Sequence, residues 1–66
     1  MKIGIIGLGL MGGSFGRTLV KKTEHVVYGY DLSDEVMLKA EMVKAFHFPL
    51  TVDNASELDM LVVAVR

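Results

Sequence analysis

Lys2-Ile3-Gly4-Ile5-Ile6-Gly7-Leu8-Gly9-Leu10-Met11-Gly12-Gly13-Ser14 decides how this chain folds. The first five residues form a short apolar run of the kind buried in a parallel sheet. Glycines at 7, 9 and 12 follow at once, and the pattern then turns helical from about Gly12 to Lys22. A second apolar run, Val26-Val27-Tyr28-Gly29-Tyr30, ends in an acid, Asp31. That acid lies about 20 residues beyond the glycine turn. Strand, glycine turn, helix, strand and terminal acid make up the dinucleotide-binding fingerprint in the context it requires.

Each glycine has its own task. Gly7 allows a sharp exit from the strand, Gly9 lets the backbone approach a pyrophosphate, and Gly12 lets the helix pack closely on the strands. Backbone N–H groups at the helix start, at Met11, Gly12 and Gly13, are expected to point at the phosphates. The helix dipole adds about half a positive charge there, so no cationic side chain is needed. None is present, because the sequence has no Lys or Arg between Lys2 and Arg17. A triphosphate-binding loop, which ends in Gly-Lys-Ser/Thr, is thereby excluded.

Asp31 is placed to accept hydrogen bonds from the ribose hydroxyls on the adenine side. A carboxylate there repels a 2′-phosphate, so the expected cofactor is NAD in preference to NADP. Leu32, Ser33, Asp34 and Glu35 follow without a cation and point the same way.

Composition narrows the remaining possibilities. Sixty-six residues, 52% of them hydrophobic, allow one small domain, expected to span 1–66. A domain this small buries only about 60% of its unfolded surface. The absence of cysteine excludes disulfides, thiolate metal sites and cysteine nucleophiles. A net charge of −1 gives no footprint for nucleic acid or membrane. Nothing approaches the ~18 apolar residues of a membrane span, and the glycine-broken N-terminus makes a poor secretion signal. The expected compartment is the cytoplasm.

Along the first helix, Phe15, Leu19 and Val20 read as the buried stripe. Gly16 reads as a point of close packing on the first strand, and Lys21 and Lys22 complement the helix dipole. Thr23-Glu24-His25 leads into the second strand. Ser33 caps a second helix from about Asp34 to Lys44, with Val36, Met37, Ala40 and Val43 at helical spacing. Phe46-His47-Phe48 reads as a short third strand broken by Pro49, and His47 as a surface or edge residue. Asp53-Asn54 caps a short turn before a last strand, Met60 to Val65. The five methionines read as core filler rather than ligands, and no metal site is expected.

The order β-α-β-α-β-β with right-handed crossovers gives an α/β, Rossmann-like parallel sheet in the order 3-2-1-4. The fourth strand lies beside the first with nothing expected on its far side. No general acid or base stands at the strands' carboxyl ends apart from Asp31. The expectation is therefore a truncated nucleotide-binding half without a substrate domain.

The residues just quoted resemble the prephenate dehydrogenase family of tyrosine biosynthesis. The likeness rests on Ile5 to Ser14, on Gly29-Tyr30-Asp31 and on Asp59 to Val65. Its most discriminating part is the double glycine followed by serine, Gly12-Gly13-Ser14, which related β-hydroxyacid dehydrogenases usually lack. Such enzymes oxidise prephenate or arogenate with NAD(P) and lose carbon dioxide. The resemblance implies that Gly7, Gly9, Gly12 and Gly13 form the phosphate turn. Leu10 and Met11 would offer backbone contacts, Asp31 would hold the ribose, and Ala64 and Val65 would approach the cofactor from the last strand. A proline often follows that strand in the family, where Arg66 stands here. The family's catalytic histidine and its helical, dimer-forming substrate domain lie beyond these residues, so no catalytic residue is assigned and the implied parent is a homodimer. Two other readings of the same residues stay open: a regulatory dinucleotide-sensing domain and a non-functional remnant.

Overall fold

The computed structural model describes residues 1–64. Four strands and three helices follow in the order β1 (Lys2–Ile6), α1 (Leu10–Lys22), β2 (Val26–Tyr30), α2 (Asp34–Met42), β3 (Phe48–Pro49), α3 (Val52–Ala55) and β4 (Met60–Val63). The sheet order is β3-β2-β1-β4 and every pairing is parallel. The fold is therefore the α/β, Rossmann-like sheet in the 3-2-1-4 order that the sequence implies.

Parallel register puts residues of one pleat on the same side of the sheet. Ile3 faces Val27, and Ile5 faces Gly29 and Val62. On this side Ile5, Leu8, Val27, Ala40 and Ala45 make a buried cluster. Leu19 and Val20 of α1, Val36 and Met37 of α2, and Phe46 pack against it. The other pleat carries Gly4, Tyr28, Phe48 and Leu61. Tyr28 and Phe48 stack with ring centroids 5.6 Å apart, and Leu58 closes over Gly4. With only the short α3 nearby, Phe48 and Leu61 remain exposed.

The inward face of α1 differs from the expected apolar stripe. Its buried residues are Gly12 and Gly16, while Phe15 is 44% exposed and Leu19 and Val20 are half-buried. The helix lies so close to its neighbours that hydrogen is the side chain that fits. A Cβ on Gly16 would overlap the Ala45 carbonyl oxygen and come 3.3 Å from Ile5 Cδ1. The tightest approach at Gly16 is thus to the segment after α2, with β1 second.

Helix α2 starts as expected, with Ser33 Oγ accepting from the Val36 N–H at 3.3 Å. It ends at Met42, two residues before the expected Lys44. Lys44 takes a left-handed conformation (φ 58°) and reverses the chain, and Val43 is left exposed. The third strand is also displaced. Phe46 tucks its ring against Gly29, so strand pairing begins only at Phe48. Pro49 is the last residue of β3 and pairs with Gly29, a place that an edge strand tolerates. The donors on either side of it are the His47 N–H to Val27 O and the Leu50 N–H to Gly29 O, each at 2.8 Å. His47 is exposed, and its Nδ1 accepts from the Val27 N–H at 2.9 Å. Thr51, not Asp53, caps α3. Thr51 and Asn54 form a reciprocal capping box.

Candidate dinucleotide site

At the carboxyl ends of β1 and β2 the chain builds a turn with a left-handed glycine. Gly7 has φ 95°, a conformation that a side chain at this position would strain. Its N–H donates to the Tyr30 carbonyl at 2.8 Å, which continues the β1–β2 pairing into the turn. The Gly7 carbonyl is then covered by α1. A Cβ on Gly12 would overlap the Gly7 oxygen and lie 3.2 Å from Ala64 Cβ. Gly12 therefore sets how closely the helix start approaches both β1 and the end of β4.

Gly9 is the N-cap of α1, with extended backbone angles (φ −69°, ψ −153°) and no side-chain cap. A Cβ there would meet nothing within 4 Å, so the space above it is open. An α-helix leaves its first N–H groups without partners inside the helix. Here those of Leu10, Met11 and Gly12 fill that role. The next donor is already committed: the Gly13 N–H donates to Gly9 O at 2.8 Å. The set expected from sequence, Met11 to Gly13, is thus shifted back by one residue because the helix begins at Leu10.

Asp31 follows β2 directly. Its Oδ2 accepts from the Leu8 N–H at 2.8 Å, and its Oδ1 accepts from the Ser33 N–H at 2.9 Å. The Asp31 N–H itself donates to Met37 Sδ at 3.2 Å. The Ser33 bond, then the Leu8 bond, hold the carboxyl below the usual carboxylate range, against a smaller opposing effect of desolvation. An ionised carboxylate has about four acceptor positions, so two partners leave capacity for ligand hydroxyls.

These groups share one cleft of about 660 Å³, within the usual range for small-molecule sites. Gly7, Gly9, Leu10, Met11, Gly12, Asp31 and Ala64 line it, together with Phe15, Val62 and Val63. Gly13 lies outside it, on the groove between α1 and α2. Val65 lies outside the described residues. The Ala64 N–H donates to Ile6 O at 2.7 Å, which holds that end of the chain beside β1.

A family model for the NAD binding domain of 6-phosphogluconate dehydrogenase matches residues 2–66. The chain belongs to that family. No curated protein and no solved structure matches it. It is an NAD-binding dehydrogenase domain. Among the described residues no group of three or more His, Cys, Asp or Glu side chains gathers to hold a metal ion. No helix there is long and apolar enough to cross a membrane.

Phe15, Val62 and Val63 line the cleft beyond the residues expected from sequence. The hydropathy of Phe15 fits an inward stripe, yet the ring is 44% exposed on the cleft. Its i,i+4 spacing from Met11 was the available signal, since both then share the face that follows the glycine turn. Leu8, outside the cleft lining, is a further residue whose part the sequence does not mark. Its side chain is buried and its N–H meets Asp31. A backbone donor leaves no mark in sequence.

Proposed function

We propose that this domain binds NAD in the cleft, with the pyrophosphate on the Leu10, Met11 and Gly12 N–H groups and the adenine-side ribose on Asp31. One observation carries the reading: unpartnered helix-start donors and a carboxylate with spare acceptor capacity line the same cleft. Gly7 and Gly12 shape the turn, Gly9 leaves room above it, and Gly13 supports it by packing on the Leu8 carbonyl. Ala64 supplies the wall at the end of β4. The negative charge of Asp31 favours NAD over NADP.

The oxidoreductase served by this domain is of the prephenate or arogenate dehydrogenase kind. Gly12-Gly13-Ser14 supports that choice. Bound NAD supplies the hydride acceptor. Residues 1–66 act as the nucleotide-binding part; no catalytic residue is assigned among them, and substrate binding and dimer formation fall to other parts of the enzyme.

Amide NMR of the chain titrated with NAD and then NADP tests the site. NAD is expected to shift Gly7 to Gly12 and Asp31, with NADP weaker. Asp31→Ala should reduce NAD affinity about tenfold, the loss of a hydrogen bond to a charged group, and narrow the preference over NADP. Unshifted amides would remove NAD from the cleft, and an unchanged preference would remove Asp31 from the ribose. The substrate is tested by NADH production from prephenate, arogenate and 6-phosphogluconate in an oxidoreductase carrying this domain.

A further inference from the structure

We infer that Asp31 is also a positioning residue for the phosphate turn, acting through its bond to Leu8 independently of any ribose contact. This rests on the NAD-binding reading of the cleft. Backbone bonds hold the turn between β1 and α1 at its two ends. The Gly7 N–H is held by Tyr30 O, the Gly13 N–H by Gly9 O, and Gly9 has no side-chain cap. Between those anchors, the Leu8 N–H to Asp31 Oδ2 bond ties the turn to a different element, the end of β2. The second oxygen is held by Ser33, the N-cap of α2, so the carboxylate is fixed at both ends. Leu8 packs into the core beside Ile5 and Val27, and its Cδ1 stands 3.1 Å from where a Gly29 Cβ would lie. One carboxylate therefore joins the glycine turn, β2 and α2. The donors at Leu10 to Gly12 start two residues beyond the bond it makes. Releasing Leu8 would free the turn whose shape aims them.

The hydrogen-bond partners of Asp31 among the described residues carry no charge. The turn itself brings no ionisable side chain, since none lies between Lys2 and Arg17. From α2 it meets Met37 Sδ. The nearest charges in sequence, Asp34 and Glu35, are not among the causes of its lowered pKa, which are the two backbone bonds opposed by desolvation.

The decisive experiment compares Asp31→Asn with Asp31→Ala, using inorganic pyrophosphate, which has no ribose, as the probe. Both variants lose the same charge, but only asparagine keeps an oxygen that can accept from Leu8. Amide shifts of Leu10 to Gly12 are expected to report about tenfold tighter pyrophosphate binding by Asp31→Asn than by Asp31→Ala. Equal affinities, in an Asp31→Asn protein whose Leu8 amide keeps its wild-type shift and so its bond to the asparagine oxygen, would overturn the proposal and leave Asp31 a ribose ligand alone. The wild-type chain gives a readout that needs neither ligand nor variant. The Leu8 and Ser33 amide protons should move together as the pH falls through the Asp31 titration. A Leu8 amide that stays still while Ser33 moves would also overturn it. Loss of NAD binding by wild-type protein with a moving Leu8 amide would instead count against the cleft's function and leave the positioning role standing.

Discussion

Replacing Gly12 with alanine and Gly9 with valine should produce opposite kinds of damage, although both glycines belong to one turn. At Gly12 the added carbon would overlap the Gly7 carbonyl oxygen and press on Ala64 Cβ at 3.2 Å. Neither neighbour can yield cheaply. Gly7 is locked at φ 95° by its bond to Tyr30, and Ala64 is held by Ile6. Overpacking of a filled site costs about 1–3 kcal/mol, and an overlap with fixed backbone belongs at the upper end. Total stability for a domain of this size is about 3–10 kcal/mol. A loss of about 3 kcal/mol would lower the melting temperature by on the order of 15 °C. At Gly9 the backbone is extended and open space lies above it, so valine should leave the fold intact. Its side chain would instead occupy the cleft where the pyrophosphate must approach. Thermal melts by circular dichroism and NAD titration of both variants separate the two effects. A Gly12→Ala protein that melts like wild type would refute the close packing of α1 on the turn. A Gly9→Val protein that keeps NAD affinity would refute the assignment of the phosphates to this turn.

Phe15→Ala should cost little stability, because the ring is 44% exposed on the cleft wall, whereas Ile5→Ala should cost about 2–5 kcal/mol at a fully buried site; equal losses in urea melts would place Phe15 back in the core. The pH dependence of stability should carry an Asp31 component of definite sign. Its folded pKa is lowered, so the stabilisation is complete above the unfolded value of about 3.9 and is lost as pH falls through the lower folded value. Asp31→Asn should flatten the urea midpoint over that acid window, and an unchanged slope would contradict the two backbone bonds. Lys2 acts at the opposite end. Its pKa is raised chiefly by the hydrogen bond from Nζ to Glu57 at 3.0 Å, so its contribution is complete below about 10.5 and is lost as pH rises through the folded value. Lys2→Met should remove that alkaline component, and no change in the alkaline limb would show the pair to be solvated.

The order of elements was legible because it is written in local chemistry. Two apolar runs with intervening helical periodicity fix β1, α1 and β2, and right-handed crossovers leave one sheet order. Gly7 could be read in advance because its positive φ is a property of one residue in one turn. Ser33 could be read as a cap for the same reason. The third strand was misplaced because Phe46, His47 and Phe48 are equally suited to a strand by composition. Gly29 offers a vacancy on the opposite strand that Phe46 fills, and that choice depends on a neighbour 17 residues away in sequence.

What the sequence determined by itself is therefore the parallel α/β sheet, its glycine turn and an acid at the end of β2, since each follows from backbone sterics and short-range periodicity. Only the tertiary structure decided which face of α1 turns inward. Hydropathy chose Phe15, whereas the close approach of the helix to the Gly7 and Ala45 carbonyls chose Gly12 and Gly16 and left Phe15 on the cleft. Tertiary structure likewise decided which donors remain free and that Asp31 is bound to Leu8. Both depend on where backbone N–H groups from separate segments meet, and a backbone N–H is the same at nearly every position of a sequence.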